Sequence, residues 1–278
     1  LFVSTRDGST NLFGMEIESG AFTQLTDEQR VTDELLFTCL NPVRPEAYFW
    51  RKGSLVGLDL ETLDERSLYE TPDGYANNIL TVTCDGAQVC TGIYEDLQSR
   101  FDVDLLKGYV GFEDYWAAMP RSVIITVDTV SGEAREVFSE NYWVGHVSAS
   151  PTVPHILTYC HEGPWDKVDN RIWGLDLRDG RNWPIYPRKG EELVGHENWM
   201  QDGVTVGFHG TEKDGPAFPG AVRYDDTDLE IFPFPRHFTH IHSNDLNLAT
   251  GDGTNWDPML YVWTFESGQE AKPVAVLR

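Results

Sequence analysis

Lysine is scarce in this chain: six residues of 278, against 45 Asp and Glu, for a formal net charge of −24. Phosphate backbones are held by clustered Lys and Arg, so a nucleic-acid partner is excluded. Abundant carboxylate with little Lys suits a protein adapted to high salt, although charge speaks to solubility and not to fold. Long apolar runs are also missing. No stretch approaches the roughly 18 to 20 uninterrupted apolar residues of a membrane helix, so no membrane association is expected. The four cysteines, Cys39, Cys84, Cys90 and Cys160, form no CxxC pair and no dense framework, which points to reduced thiols in the cytoplasm. There is no initial methionine: the chain opens at Leu1 inside a strand-like segment, so any signal peptide would precede the part read here. Helical periodicity is nearly absent as well.

Alternating apolar and polar residues that turn at Gly or Asp are plentiful. Six hairpins are visible, at 11–20, 54–62, 122–128, 171–177, 221–226 and 260–268. Markers near their turns, Ile17, Leu60, Thr129, Leu177, Asp226 and Phe265, are spaced 43, 69, 48, 49 and 39 residues apart. A period of about 40 to 50 residues is that of four-stranded propeller blades. The long third unit implies an insertion around Tyr94 to Met119, able to form a short helix or lid. A propeller must close to protect its strand edges, and the chain starts within one blade and stops just after an outer strand at 273–277. The expected fold is therefore all-β: a seven-bladed β-propeller of four-stranded antiparallel blades with about six visible, residues 1–278 forming a single domain incomplete at both ends.

Three histidines share one point of the repeat, in Val144-Gly145-His146, Val194-Gly195-His196 and Phe238-Thr239-His240. A second set, His161, His209 and Asp252, trails by 12 to 15 residues. If each pair brackets a hairpin, both sets lie on one edge. Arg171 opens a third strand from the same face, and Asp166 and Asp169 lie in the loop before it. Imidazoles converging from separate strands bind a divalent metal, and a free one serves as a base near neutral pH. Arginine clamps a carboxylate or phosphate, so the combination suits a small anionic substrate. Bland roles compete: a Gly-His pair is often structural, foremost at His146, and a non-catalytic interaction propeller would carry such pairs too. His155 reads as a turn residue and His209 as a hydrogen-bonded strand end. Alternation puts His240 and His242 on one side and leaves His237 undecided, so at most two of the three share an ion.

The segment Cys160-His161-Glu162-Gly163-Pro164-Trp165-Asp166-Lys167-Val168-Asp169-Asn170-Arg171-Ile172-Trp173 resembles the oligogalacturonate lyases, whose motif runs close to C-H-E-G-P-H-D-x-V-D-A-R-x-W. The likeness extends through Gly195-His196-Glu197-Asn198-Trp199 and from Thr239-His240-Ile241-His242-Ser243-Asn244 to Gly251-Asp252-Gly253. It implies a seven-bladed propeller and a cytoplasmic lyase that splits short galacturonides by β-elimination with manganese. By the same resemblance His196 is the catalytic base, Arg171 a substrate-binding arginine and His240 the first metal ligand, with His242 a second candidate ligand. His146, His161 and Asp166 are expected to contact the substrate. The family's remaining ligands, an H-x-H and a glutamine, fall in a segment beyond Arg278. Two departures stand out: Trp165 replaces a histidine usual in the motif, and His242 stands where an apolar residue is common.

Overall fold

In a computed structural model the chain folds into consecutive antiparallel sheets, each built from strands adjacent in sequence. The described residues are 1–278 except 7, 33, 104–108, 188–189, 214, 216, 233–239, 255–256, 265–271 and 277–278. Expectations placed on His237, on the turn after the sixth hairpin and on the end of the 273–277 strand lie outside them. The first sheet has three strands, β1 (Phe2–Ser4), β2 (Asn11–Met15) and β3 (Phe22–Gln24). A 3-10 turn, Glu34–Phe37, leads to the second: β4 (Cys39–Leu40), β5 (Glu46–Arg51), β6 (Ser54–Asp59) and β7 (Glu65–Glu70). The third comprises β8 (Tyr75–Val82), β9 (Gln88–Glu95), β10 (Arg121–Asp128) and β11 (Ala134–Asn141), with helix α1 (Phe112–Ala117) between β9 and β10. Next come β12 (Val144–Ala149), β13 (Ile156–His161), β14 (Ile172–Asp176) and β15 (Asn182–Ile185), then β16 (Leu193–Trp199), β17 (Thr205–Thr211), β18 (Ala217–Arg223) and β19 (Glu230–Ile231). The last sheet is β20 (Ile241–Ser243), β21 (Ala249–Thr254), β22 (Asp257–Trp263) and β23 (Lys272–Val276).

This is a six-bladed all-β propeller among the described residues, five of its blades four-stranded. The seven-bladed expectation is not borne out: closure was argued from edge protection, and the residues described supply six sheets. The six hairpins fall on β2, the middle strand of the three-stranded sheet, and on β6, β10, β14, β18 and β22, the third strands of the five four-stranded blades. The insertion carries the short helix α1, one of the two forms expected of it.

The core lies between sheets. Tyr48, Trp50 and Leu55 of the second sheet pack with Leu80, Val89, Ile93 and Val123 of the third. Cys90 and Ile124 of the third pack with Val144, Leu157, Tyr159 and Leu175 of the fourth. Because neighbours cover both faces, β10 is buried from Ser122 to Val127 without alternation, which explains its unbroken Val123-Ile124-Ile125 run. First strands of consecutive sheets, β8, β12 and β16, lie side by side and carry the same irregularity. Register slips occur between Asn77 and Leu80, between Gly145 and Ser148, and between Gly195 and Asn198. A bulge of this kind bends the strand and re-aims its side chain.

Candidate active site

Two bulges place their histidines in the left-handed region, His146 at φ 49° and His196 at φ 43°. Such backbone costs about 1 to 3 kcal/mol at a non-glycine residue and persists only where packing imposes it. The glycine before each histidine makes room for that packing. A Cβ on Gly145 would lie 2.5 Å from Glu162 Oε1, and one on Gly195 would lie 2.4 Å from the Trp165 ring. The Val-Gly-His repeat is thus a device: glycine admits a neighbour, the bulge turns the imidazole, and the two rings stack at 5.5 Å and 17°.

Both rings line a cavity of about 730 Å³ together with Glu162, Trp165, Arg171 and an aromatic wall. At its ionic end a row of alternating charges runs through the protein. Arg171, 8% exposed, donates from Nη1 to Glu162 Oε2 at 3.0 Å and to the His161 carbonyl at 3.1 Å. Glu162 Oε1 faces His146 Nε2 at 3.2 Å, and His146 Nδ1 faces Glu197 Oε1 at 3.5 Å. Burial alone would raise the Glu162 carboxyl, but Arg171 and His146 overcome it and hold it at about 2. Burial likewise works against charge on His146, yet Glu162 and Glu197 outweigh it and raise its pKa.

His196 has the opposite setting. Burial, then the neighbouring His146, His240 and Arg171, push its pKa down to about 4. Its Nδ1 meets His209 Nε2 at 3.2 Å, and the His240 ring lies 4.5 Å away. An uncharged imidazole beside a guanidinium is a proton acceptor near neutral pH. His240 is held by Asp252, whose Oδ2 meets Nδ1 at 2.6 Å while Oδ1 accepts the His240 backbone N–H at 2.6 Å. A carboxylate on Nδ1 leaves the Nε2 lone pair for a metal, so the donor chemistry fits a divalent ion. A second donor group, His146, Cys160 and Glu162, has its ligand atoms within 4.8 Å of one another. There burial keeps the Cys160 thiol protonated, and a thiol is a poor ligand for a hard divalent ion.

The expected site residues divide. His146, Arg171 and His196 meet at the cavity, with His240 against His196. His161 does not. The pleat that turns Cys160 and Glu162 to one side sends His161 to the other, where it is 3% exposed, stacked on Tyr142, and bonded through Nδ1 to Asp169 at 2.8 Å and through Nε2 to Glu140 at 3.0 Å. Burial opposes its charge, but those two carboxylates raise its pKa. Asp166 is exposed in a turn and does not line the cavity. His242 is exposed on β20 opposite Thr250. Glu162 and Glu197 were not anticipated. Each follows a site histidine directly, as His161-Glu162 and His196-Glu197, and that doublet was the available signal.

Fold and site together define a propeller that gathers imidazoles, carboxylates and a guanidinium where its first strands meet. The sequence matches the family model described as oligogalacturonate lyase over residues 1–256, and the chain belongs to that family. It is 28% identical to an oligogalacturonide lyase of Pectobacterium atrosepticum, over 97% of this chain and 73% of that protein. It is 27% identical to an oligogalacturonate lyase of Dickeya dadantii, over 97% and 72%. A solved oligogalacturonate lyase in complex with manganese superposes with a TM-score of 0.86 at 24% identity, over 99% of this chain and 73% of that one. No helix among the described residues is long and apolar enough to cross a membrane.

Proposed function

We propose that this chain is a lyase that cleaves short oligogalacturonides by β-elimination, with His196 as the base. The observation that carries the reading is an imidazole held at about 4 in the cavity where Arg171 and His146 converge. The ring proton beside a uronate carboxylate is weakly acidic, so that carboxylate needs positive charge before the proton leaves. His240, with Nδ1 tied to Asp252, would hold a manganese ion, which supplies that charge to the carboxylate when bound. Arg171 has Nη1 committed to Glu162, and its remaining edge binds the substrate carboxylate. His196 donates Nδ1–H to His209 and takes the C5 proton on Nε2. His146 lies on the same cavity wall in reach of the substrate. His161, with both ring nitrogens bonded to carboxylates, serves to brace the Arg171 loop.

Sheets packed against their sequence neighbours among the described residues support residues 1–278 as one propeller domain. The free thiols of Cys39, Cys84, Cys90 and Cys160 fit a cytoplasmic setting. Incubation with digalacturonate and manganese is expected to release an unsaturated uronate. His196→Ala is expected to slow this by about 10²- to 10⁴-fold with an unchanged circular dichroism spectrum. No product from any uronate oligomer with the full-length protein would overturn the assignment.

A further inference from the structure

The cavity exceeds what the ionic end requires. At about 730 Å³ it sits in the upper part of the roughly 300–1,000 Å³ range of sites for drug-sized ligands, room for more than one sugar ring. Away from the imidazoles it is walled by Tyr94, Tyr109, Phe112 and Trp143, three of them delivered by the end of β9 and the insertion that follows. The wall is anchored from behind by Tyr115, 2% exposed. Its hydroxyl donates to the Glu95 carbonyl at 2.5 Å, and its ring lies 4.7 Å from Trp143 and 6.0 Å from Tyr94. That anchoring leaves Phe112 against Trp143 at 5.3 Å and Tyr109 edge-on to Phe112 at 5.3 Å, with Tyr109 60% exposed. Aromatic surface kept in water is unfavourable until a matching apolar face covers it. A galacturonide ring has such a face, formed by its C–H groups at positions 3, 4 and 5.

We infer that this aromatic wall is the subsite for the leaving sugar, the ring joined to the reacting uronate through the scissile oxygen. The inference rests on the lyase reading above. Continuity with the ionic end identifies the occupant, since every elimination substrate carries a leaving group on the C4 oxygen. In that step His196 takes the C5 proton, the C4–C5 double bond forms, and the C4–O bond breaks. The leaving sugar takes a proton from water and departs as the alcohol.

The test compares kcat/KM on digalacturonate with kcat/KM on a galacturonide carrying fluoride at C4 in place of the second sugar. The ratio of the two is expected to fall about tenfold in Tyr109→Ala and again in Phe112→Ala, and to be restored in Tyr109→Phe. An unchanged ratio, or equal losses on both substrates, would overturn the subsite. Should the wild type turn over neither compound, the lyase reading has failed and calorimetry judges the subsite alone. Tighter binding of digalacturonate than of galacturonate, lost in Tyr109→Ala, supports it; equal binding of the two sugars overturns it.

Discussion

Replacing Glu162 by glutamine keeps the side-chain volume and removes one charge from the row that joins Arg171 to His146. The side chains of Arg171 and Glu162 are 6% and 16% exposed, so solvent screens the pair little. A carboxyl held at about 2 instead of 4.5 contributes about 3 kcal/mol of stability above its unfolded pKa. Breaking a buried pair by removing one partner costs about 3 to 5 kcal/mol by independent reasoning, because the other charge is stranded. The two routes agree, and for a chain of 278 residues the change lowers the melting temperature by about 5 to 9 °C. Thermal denaturation near neutral pH, followed by circular dichroism, measures it. The pH dependence fixes the cause: the folded pKa lies below the unfolded one, so the stabilisation is complete above about 4.5 and is lost as pH falls through about 2. The gap between wild type and Glu162→Gln therefore closes on acidification, and Arg171→Leu added to Glu162→Gln regains part of the loss. A Glu162→Gln protein within about 1 kcal/mol of wild type at neutral pH would refute the argument.

Two further outcomes follow from the imidazoles. His196 acts as a base only when uncharged, so kcat/KM rises with pH through a midpoint nearer 4 than 6.5; a pH–rate profile with its acid limb at 6.5 would contradict this. Asp252→Ala frees His240 Nδ1 and is expected to weaken manganese binding about 10- to 100-fold, read by titration calorimetry, with the melting temperature little changed.

Much of the architecture was visible in the hairpin repeat because a propeller blade is a local unit, its strands joined by short turns. The number of blades was less visible, since closure depends on edges that alternation alone does not count. At the site, register across repeats brought His146, Arg171 and His196 together correctly. It misplaced His161 because sharing a strand edge is not sharing a face: one residue along β13 turns the side chain from the cavity to the Glu140–Asp169 clamp. Glu162 and Glu197 were overlooked because acidic residues are common in a chain with 45 of them, and the histidine before each is a weak signal until burial places both in the ionic row. The Gly145 and Gly195 requirement was equally hidden, since the atoms that approach them come from distant loops. His155 and His209 were read well: the first sits in a turn, and the second is bonded to His196.

The bulge shared by β8, β12 and β16 separates scaffold from chemistry. Asn78, His146 and His196 occupy corresponding places on three neighbouring strands, yet one ties its amide to the Val144 carbonyl at 3.3 Å, one sits between the carboxylates of Glu162 and Glu197, and one is kept neutral by burial. The shared register slip therefore serves two ends: at Asn78 the side chain ties neighbouring sheets together, while at His146 and His196 a positive φ turns an imidazole into the cavity.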